Sequence, residues 1–316
     1  MDLVPTQSAC GDGMNTLNET SGELAETAVV MEVAGEEMLG IMHEGAPNTS
    51  CGVLLVVGGP QYRAGSHRQF LLLARELAAN GVPVFRFDYR GMGDSSGPQS
   101  GFEDAGEDIR AALDVFQRRA PEVRQFVIWG LCDAASAALL HAWNEPRVSG
   151  LVLVNPWVRT DEGLARAHLR HYYIRRVASR EFWRDVVQGQ FHPLAAAGGF
   201  LRTLVTSLGA REDRARGDPD PAPPLDPRAP LPERMAAGWC RFRGSILVVL
   251  SGEDLTAAEF TDTARNNRHW QGLLDEDRVS VARIDEANHT FSRADWRQQV
   301  ADYTRQWLLR HAETAA

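Results

Sequence analysis

Residues 125–140 read QFVIWGLCDAASAALL, and the fold of the chain can be worked outward from them. Gln125–Trp129 carries Phe126, Val127, Ile128 and Trp129 in an unbroken apolar run, the pattern of a strand buried on both faces. Asp133–Leu140 is rich in Ala and Leu, which suits the start of a helix. Between them, Gly130-Leu131-Cys132-Asp133-Ala134 places small residues two before and two after a cysteine. A strand-to-helix turn that tight strains the backbone at its centre, and bulky neighbours would not fit around it. The pattern is that of a nucleophile elbow with Cys in place of Ser. Such a turn sets the sulfur at a helix N-terminus, where exposed N–H groups and the helix dipole favour thiolate over thiol. Taken alone, Cys132 has a plainer reading as a buried residue closing a core strand. The weight therefore falls on whether an acid and a histidine follow in suitable places.

On either side of this stretch the hydrophobic pattern alternates between strand and helix. Thr27–Val33 and Met38–His43 read as an opening hairpin across Gly35-Glu36. Gly52–Val57 reads as the first central parallel strand, followed by a helix over 66–80 and a strand over Val82–Phe87. A helix over Asp104–Arg119, the elbow strand and a strand over Val148–Asn155 complete the first half. This β-α-β-α-β rhythm predicts an α/β fold with a mostly parallel, doubly wound sheet. It breaks at Pro156. Residues 157–243 hold helical stretches and a segment dense in Pro and Asp (218–233), read as a helical cap with a loose connector. The sheet resumes with strand Ser245–Leu250, helix Thr256–Gln271, strand Val279–Ile284 and helix Arg293–Arg310. Four segments are expected: an acidic disordered leader (1–26), core (27–156), cap (157–243) and core again (244–316).

Composition narrows the function. All 33 basic residues are Arg, with no Lys, which excludes a Schiff-base lysine, a pyridoxal phosphate anchor and a phosphate-loop lysine. Nine acids and no Lys or Arg precede Arg63, and this accounts for the net charge of -9. A neutral body with an acidic leader offers no footing for nucleic acid. The four cysteines, Cys10, Cys51, Cys132 and Cys240, form no C-x-x-C pair, so neither a zinc site nor a disulfide framework is expected, and no cofactor is called for. No apolar stretch approaches ~18 residues, and no secretory signal opens the chain, so a cytoplasmic protein without a membrane span is expected. Nothing in the sequence sets the oligomeric state.

Two resumed strands end in the residues that the elbow needs. Ser251-Gly252-Glu253-Asp254 follows one, and Asp285-Glu286-Ala287-Asn288-His289 follows the other. Nucleophile, acid and histidine then occur in the order seen in α/β-hydrolases, each just past a strand C-terminus, where open parallel sheets place their sites. Cys132 would be the nucleophile and His289 the proton carrier. Asp254 would fix the imidazole tautomer, with Glu253 and Asp285 as competitors. An oxyanion hole would use the N–H of Asp133 and one from the loop after Gly52–Val57. Pro60 has no N–H, leaving Gly59 first and Gln61 second.

These motifs carry a resemblance. Gly58-Gly59-Pro60 and Asp88-x-Arg90-Gly91-x-Gly93-x-Ser95 look like the α/β-hydrolase superfamily. More narrowly, GGPQYRAGSHRQF (58–70), FDYRGMGDS, GLCDAAS, NPWVRT (155–160), DLTAAEF (254–260) and HTFS (289–292) resemble the type-1 hydrolases associated with exosortase A systems, from about Gly52 to Leu309. The resemblance implies a cytoplasmic α/β-hydrolase of Gram-negative bacteria, often encoded beside exopolysaccharide genes, and supplies no substrate. Substrate contact is expected from Gln61, His67, Trp157, Arg170 and Arg175. The last two belong to an arginine-rich stretch (159–184) interleaved with Tyr172, Tyr173, Phe182 and Trp183. That stretch reads either as a solvated helix face or as a basic mouth for a coenzyme A or carrier-protein thioester. The expected activity is acyl transfer or hydrolysis of an ester or thioester through an acyl-cysteine. A small-peptide amidase and a non-catalytic binding protein on the same fold are the rivals.

Overall fold

The computed structural model describes residues 25–59, 61–99, 101–158 and 223–314. Eight strands form one sheet in the order β1-β2-β4-β3-β5-β6-β7-β8. β1 (Glu26–Val33) and β2 (Glu36–His43) make an antiparallel hairpin. β2 also runs antiparallel to β4 (Val84–Phe87). The other pairings are parallel: β4 with β3 (Cys51–Val56), β3 with β5 (Gln125–Leu131), and so on through β6 (Val148–Val154), β7 (Ser245–Glu253) and β8 (Val279–Asn288). The central strands are near-continuous apolar runs because helices cover both faces; every residue of β3 is buried. β1, at one edge, instead alternates, with Val29 and Met31 inward.

Helices α1 (Gln69–Ala79) and α6 (Ala294–Thr314) cover one face, packing Phe70, Leu77 and Trp307 against Val53, Trp129 and Val152. The opposite face carries α2 (Gly106–Arg119), α3 (Asp133–His141), α4 (Leu231–Arg241) and α5 (Leu255–Asn266). In α4, Met235 and Trp239 are fully buried, and Gly238 approaches α3 so closely that a Cβ would stand 1.8 Å from the Leu139 carbonyl oxygen. The sequence places this helix within the expected cap (157–243), and in the structure it packs against α3.

Three boundaries shift for local reasons. α1 starts at Gln69 rather than 66 because Gly65, His67 and Arg68 all have positive φ. β4 starts after Pro83, which cannot donate to a ladder. The helix after β7 ends at Asn266; Arg268–Trp270 is a separate 3-10 turn that drops Trp270 between Trp239 and Phe260. Nearly all of the expected leader, and residues 159–222 of the expected cap with Arg170 and Arg175, lie outside the described residues. Among the described residues no helix is long and apolar enough to cross a membrane.

Candidate functional site

Cys132 stands between β5 and α3 with φ 62° and ψ −123°, a conformation that L residues seldom adopt and that stores strain. The turn closes only because its neighbours are small. A Cβ on Gly130 would lie 2.6 Å from the backbone of Ala134. Hydrogen bonds then hold the turn in place. The Cys132 N–H donates to Val154 O at 2.9 Å, and its carbonyl accepts from the N–H of Ala135 at 3.1 Å and of Trp157 at 3.2 Å. The turn is thus tied to β6, to its own helix and to the chain leaving β6.

His289 follows the last strand, and its Nδ1 meets Asp254 Oδ2 at 2.8 Å. Asp254 is also the N-cap of α5: Oδ1 accepts from the Thr256 N–H at 3.1 Å and Oδ2 from the Ala257 N–H at 3.2 Å. The cap fixes the carboxylate, and the carboxylate orients the imidazole. Burial draws the imidazole pKa down, but hydrogen bonds to Asp254 and Cys132, with the negative charge of both, more than offset it and raise the value to about 10. The His289–Asp254 hydrogen bond thus lies beside Cys132, the three residues standing at the C-terminal ends of β5, β8 and β7. The other two acids weighed from the sequence, Glu253 and Asp285, are exposed.

Sequence reasoning missed Asn155. Fully buried and with φ 44°, it receives the Ser251 N–H at 2.8 Å and donates through Nδ2 to Ser251 Oγ at 2.8 Å and to the His289 carbonyl at 3.2 Å. Ser251 Oγ in turn donates to the Asn288 carbonyl at 3.1 Å. One side chain thus ties the end of β6 to the turns that carry Asp254 and His289. Its signals in the sequence are a polar residue closing the apolar run of β6 and the first place in the 155–160 motif, neither of which points to this bracing role.

The loop after β3 departs from expectation. The Gly59 N–H, expected to be free for an oxyanion, donates to Asp133 Oδ2 at 2.7 Å. The carboxylate reaches it because Gly58 has no side chain: a Cβ there would lie 2.1 Å from Asp133 Oδ1. That Oδ1 is buried and has no hydrogen-bond partner among the described residues. Burial raises the carboxyl pKa, while the N–H groups of Gly59, Ala134 and Asp133 itself, and the charge of His289, work against the rise.

The remaining candidates divide. Trp157 lies beside the elbow, its N–H on the Cys132 carbonyl and its own carbonyl accepting from Ser136 Oγ at 2.5 Å. Gln61 turns inward to its own loop, accepting from the Ser66 N–H at 3.2 Å. His67 is exposed on the kink before α1. The Asp88-x-Arg90-Gly91-x-Gly93-x-Ser95 motif acts as scaffold. Buried Asp88 accepts from Arg63 and from the Asp94 N–H, Ser95 Oγ donates to the Asp88 carbonyl, and Arg90 pairs with Asp108 at 2.6 Å. No group of three or more His, Cys, Asp or Glu among the described residues forms a set that could hold a metal.

Comparison with known proteins agrees with this architecture. The model of the alpha/beta hydrolase family matches residues 53–303. Among solved structures, the esterase Pf2001 of Pyrococcus furiosus superposes with a TM-score of 0.58 at 14% identity, over 92% of this chain and 92% of that one. Est1E of Butyrivibrio proteoclasticus, solved with ferulic acid bound, gives 0.55 at 13% identity, over 90% of this chain and 99% of that one. At these identities the likeness is one of fold. No curated protein matches the chain.

Proposed function

The chain belongs to the alpha/beta hydrolase family, and we propose that it cleaves or transfers an acyl group held as an ester or thioester, with Cys132 as nucleophile, His289 as proton carrier and Asp254 as the group that orients His289. The observation that carries this reading is the hydrogen-bonded His289–Asp254 pair beside Cys132 on its strained turn, the three residues standing at three strand ends. Strain of this kind is retained where surrounding structure holds it for a purpose. A fully assembled set with its own N-cap and Asn155 brace speaks against a binding protein that has merely kept the fold.

The chemistry runs in two halves. His289 holds the proton that Cys132 gives up, and the sulfur attacks the acyl carbon. A C–S bond forms as the carbonyl π pair moves to oxygen. Collapse returns that pair to the carbonyl and expels an alkoxide or thiolate, which takes the proton from His289 Nε2. In the second half His289 takes a proton from water or an acceptor hydroxyl, whose oxygen attacks the acyl-cysteine and releases Cys132. Asp254 keeps Nδ1 protonated throughout and stabilises the imidazolium.

Membership of the exosortase-associated type-1 group is part of the proposal and rests on the motifs around Gly58, Cys132, Asn155 and His289. A coenzyme A or carrier-protein thioester is the donor class favoured by the arginines of 159–184, through groups such as Arg170 and Arg175. Intact-protein mass spectrometry after brief exposure to acetyl-coenzyme A and to p-nitrophenyl acetate tests the reading. An added acetyl group that maps to Cys132 and is absent from Cys132→Ala is expected. Turnover of these donors by Cys132→Ala at the native rate would sink it. Fast release of free acid marks a hydrolase, and persistence of the adduct until an alcohol is added marks a transferase.

A further inference from the structure

The expected oxyanion hole is already filled from within. Asp133 Oδ2 takes the Gly59 N–H at 2.7 Å, and the carboxylate also interacts with the backbone N–H groups of Ala134 and of Asp133 itself. These donors come from the loop after β3 and the first turn of α3, the two places that supply an oxyanion hole in this family of turns. Gly58 leaves the space that the carboxylate fills. From these contacts we infer that Asp133 is an internal occupant of the oxyanion hole, which an acyl donor must displace before Cys132 can be acylated. The inference rests on Cys132 being the nucleophile.

The arrangement is poised to open. Inside the hole Oδ2 accepts a charge-assisted hydrogen bond from the Gly59 N–H, but Oδ1 is buried with no partner among the described residues. Turning the side chain outward loses the first and rehydrates the second, so the two positions differ by less than the contacts of Oδ2 alone suggest. While the carboxylate stays in place, its charge opposes the step that the hole serves. As the C–S bond forms, the carbonyl π pair becomes an oxyanion, which would meet a negative oxygen where it needs a donor. A plain acyl group therefore reacts slowly, and Asp133 determines which donors are accepted. Its side chain is a specificity element, distinct from the backbone N–H of the same residue.

Two probes separate this effect from any other consequence of changing Asp133. Iodoacetamide alkylates a thiolate by displacement at an sp³ carbon and builds no oxyanion, whereas p-nitrophenyl acetate acylates it through one. Both rates are measured at Cys132 in the full chain by intact mass, for the native protein, Asp133→Ala and Asp133→Asn. Loss of the neighbouring charge affects both probes, so the quantity to read is the ratio of acylation to alkylation. That ratio should rise about tenfold or more in Asp133→Ala, the factor that one charge-assisted hydrogen bond corresponds to. Asp133→Asn, which keeps a neutral acceptor of the same size, should lie between. Should Asp133→Ala fail to give a cooperative melt, the Asn variant carries the test alone. An unchanged or lowered ratio with normal alkylation of Cys132 overturns the internal occupant and leaves the nucleophile in place. Absence of alkylation at Cys132 in the native chain overturns the nucleophile, and this inference with it.

Discussion

Asp254 Oδ2 accepts from His289 Nδ1 at 2.8 Å and from the N–H of Ala257 at 3.2 Å, so one oxygen serves both the imidazole and the start of α5. The two duties can be separated by substitution. Asn caps a helix about as well as Asp, so Asp254→Asn should fold, with less than about 1 kcal/mol of stability lost at the cap. Its amide presents the wrong partner to Nδ1, and acyl turnover should fall on the order of 10⁴-fold through the wrong tautomer. Steady-state kinetics beside a urea melt checks this. Full activity in Asp254→Asn, with Asp285→Asn inactive, would move the role to Asp285.

Asn155 predicts a different balance. Replacing it by Ala removes the acceptor of the buried Ser251 N–H and the donor to the His289 carbonyl. The orphaned Ser251 N–H should cost about 1–3 kcal/mol. With the His289 turn loosened, turnover should fall while KM changes little, because Asn155 acts through His289 rather than on substrate. An Asn155→Ala protein with native kcat and native stability would remove the bracing role.

Among the cysteines of the described residues, Cys132 should be alkylated fastest at neutral pH. Burial pushes the Cys51 thiol up to about 11, and burial with the nearby Glu276 charge raises that of Cys240. Cys132 is half-buried and lies beside His289. Peptide mapping after a short iodoacetamide pulse reads the three sites directly. Labelling of Cys51 at the rate of Cys132 would argue against a selectively activated elbow.

The sheet is legible in the sequence because its central strands are buried on both faces and read as continuous apolar runs. Helix boundaries are less so. Nothing in the periodicity of residues 66–80 announces the positive φ at His67 and Arg68, and the run from Thr256 to Gln271 hides a break after which Trp270 is buried. The order of Cys132, Asp254 and His289 can be read from motifs, whereas their distances cannot. What the sequence conceals are contacts between loops far apart in the chain. The Asp133 carboxylate turns toward Gly59 because Gly58 lacks a Cβ, and Asn155 reaches both Ser251 and the turn at His289. Both depend on three-dimensional closeness that local pattern does not encode.

His289 sets the alkaline side of the stability profile. Its pKa rises on folding from an ordinary 6.5 to about 10. The folded state therefore binds this proton more tightly than the unfolded chain does. Its contribution is fully present below pH 6.5 and disappears as pH rises through 10. Stability measured by urea titration should decline across that window, and the decline should shrink in Asp254→Asn, which lacks the charge that holds the proton.

His43 governs the acid side with the opposite sign. It is fully buried at the end of β2, and its Nε2 accepts from Arg86 Nε at 2.9 Å, which requires a neutral ring. Burial and the Arg86 charge push its pKa down from 6.5 to about 4, with Arg75 acting the same way and Glu26, 3.9 Å from Nδ1, partly opposing them. The unfolded chain thus takes up a proton at His43 that the folded state refuses. The contribution is complete above pH 6.5 and is lost as pH falls through 4. One proton gives a slope of at most about 1.4 kcal/mol per pH unit. Burial also lowers the pKa of His141 and His311, so these add to the acid loss and His43 accounts for only part of it. Urea titrations at pH 7, 6, 5 and 4 on the native chain and on His43→Gln measure that part. The Gln side chain keeps an acceptor for Arg86 without a titrating proton, so its stability should depend less steeply on pH between 6.5 and 4. Equal slopes in the two proteins would mean that His43 binds its proton alike in both states, and the acid loss would then belong to the other histidines and to carboxylates whose pKa is lowered, such as Glu26 and Glu145.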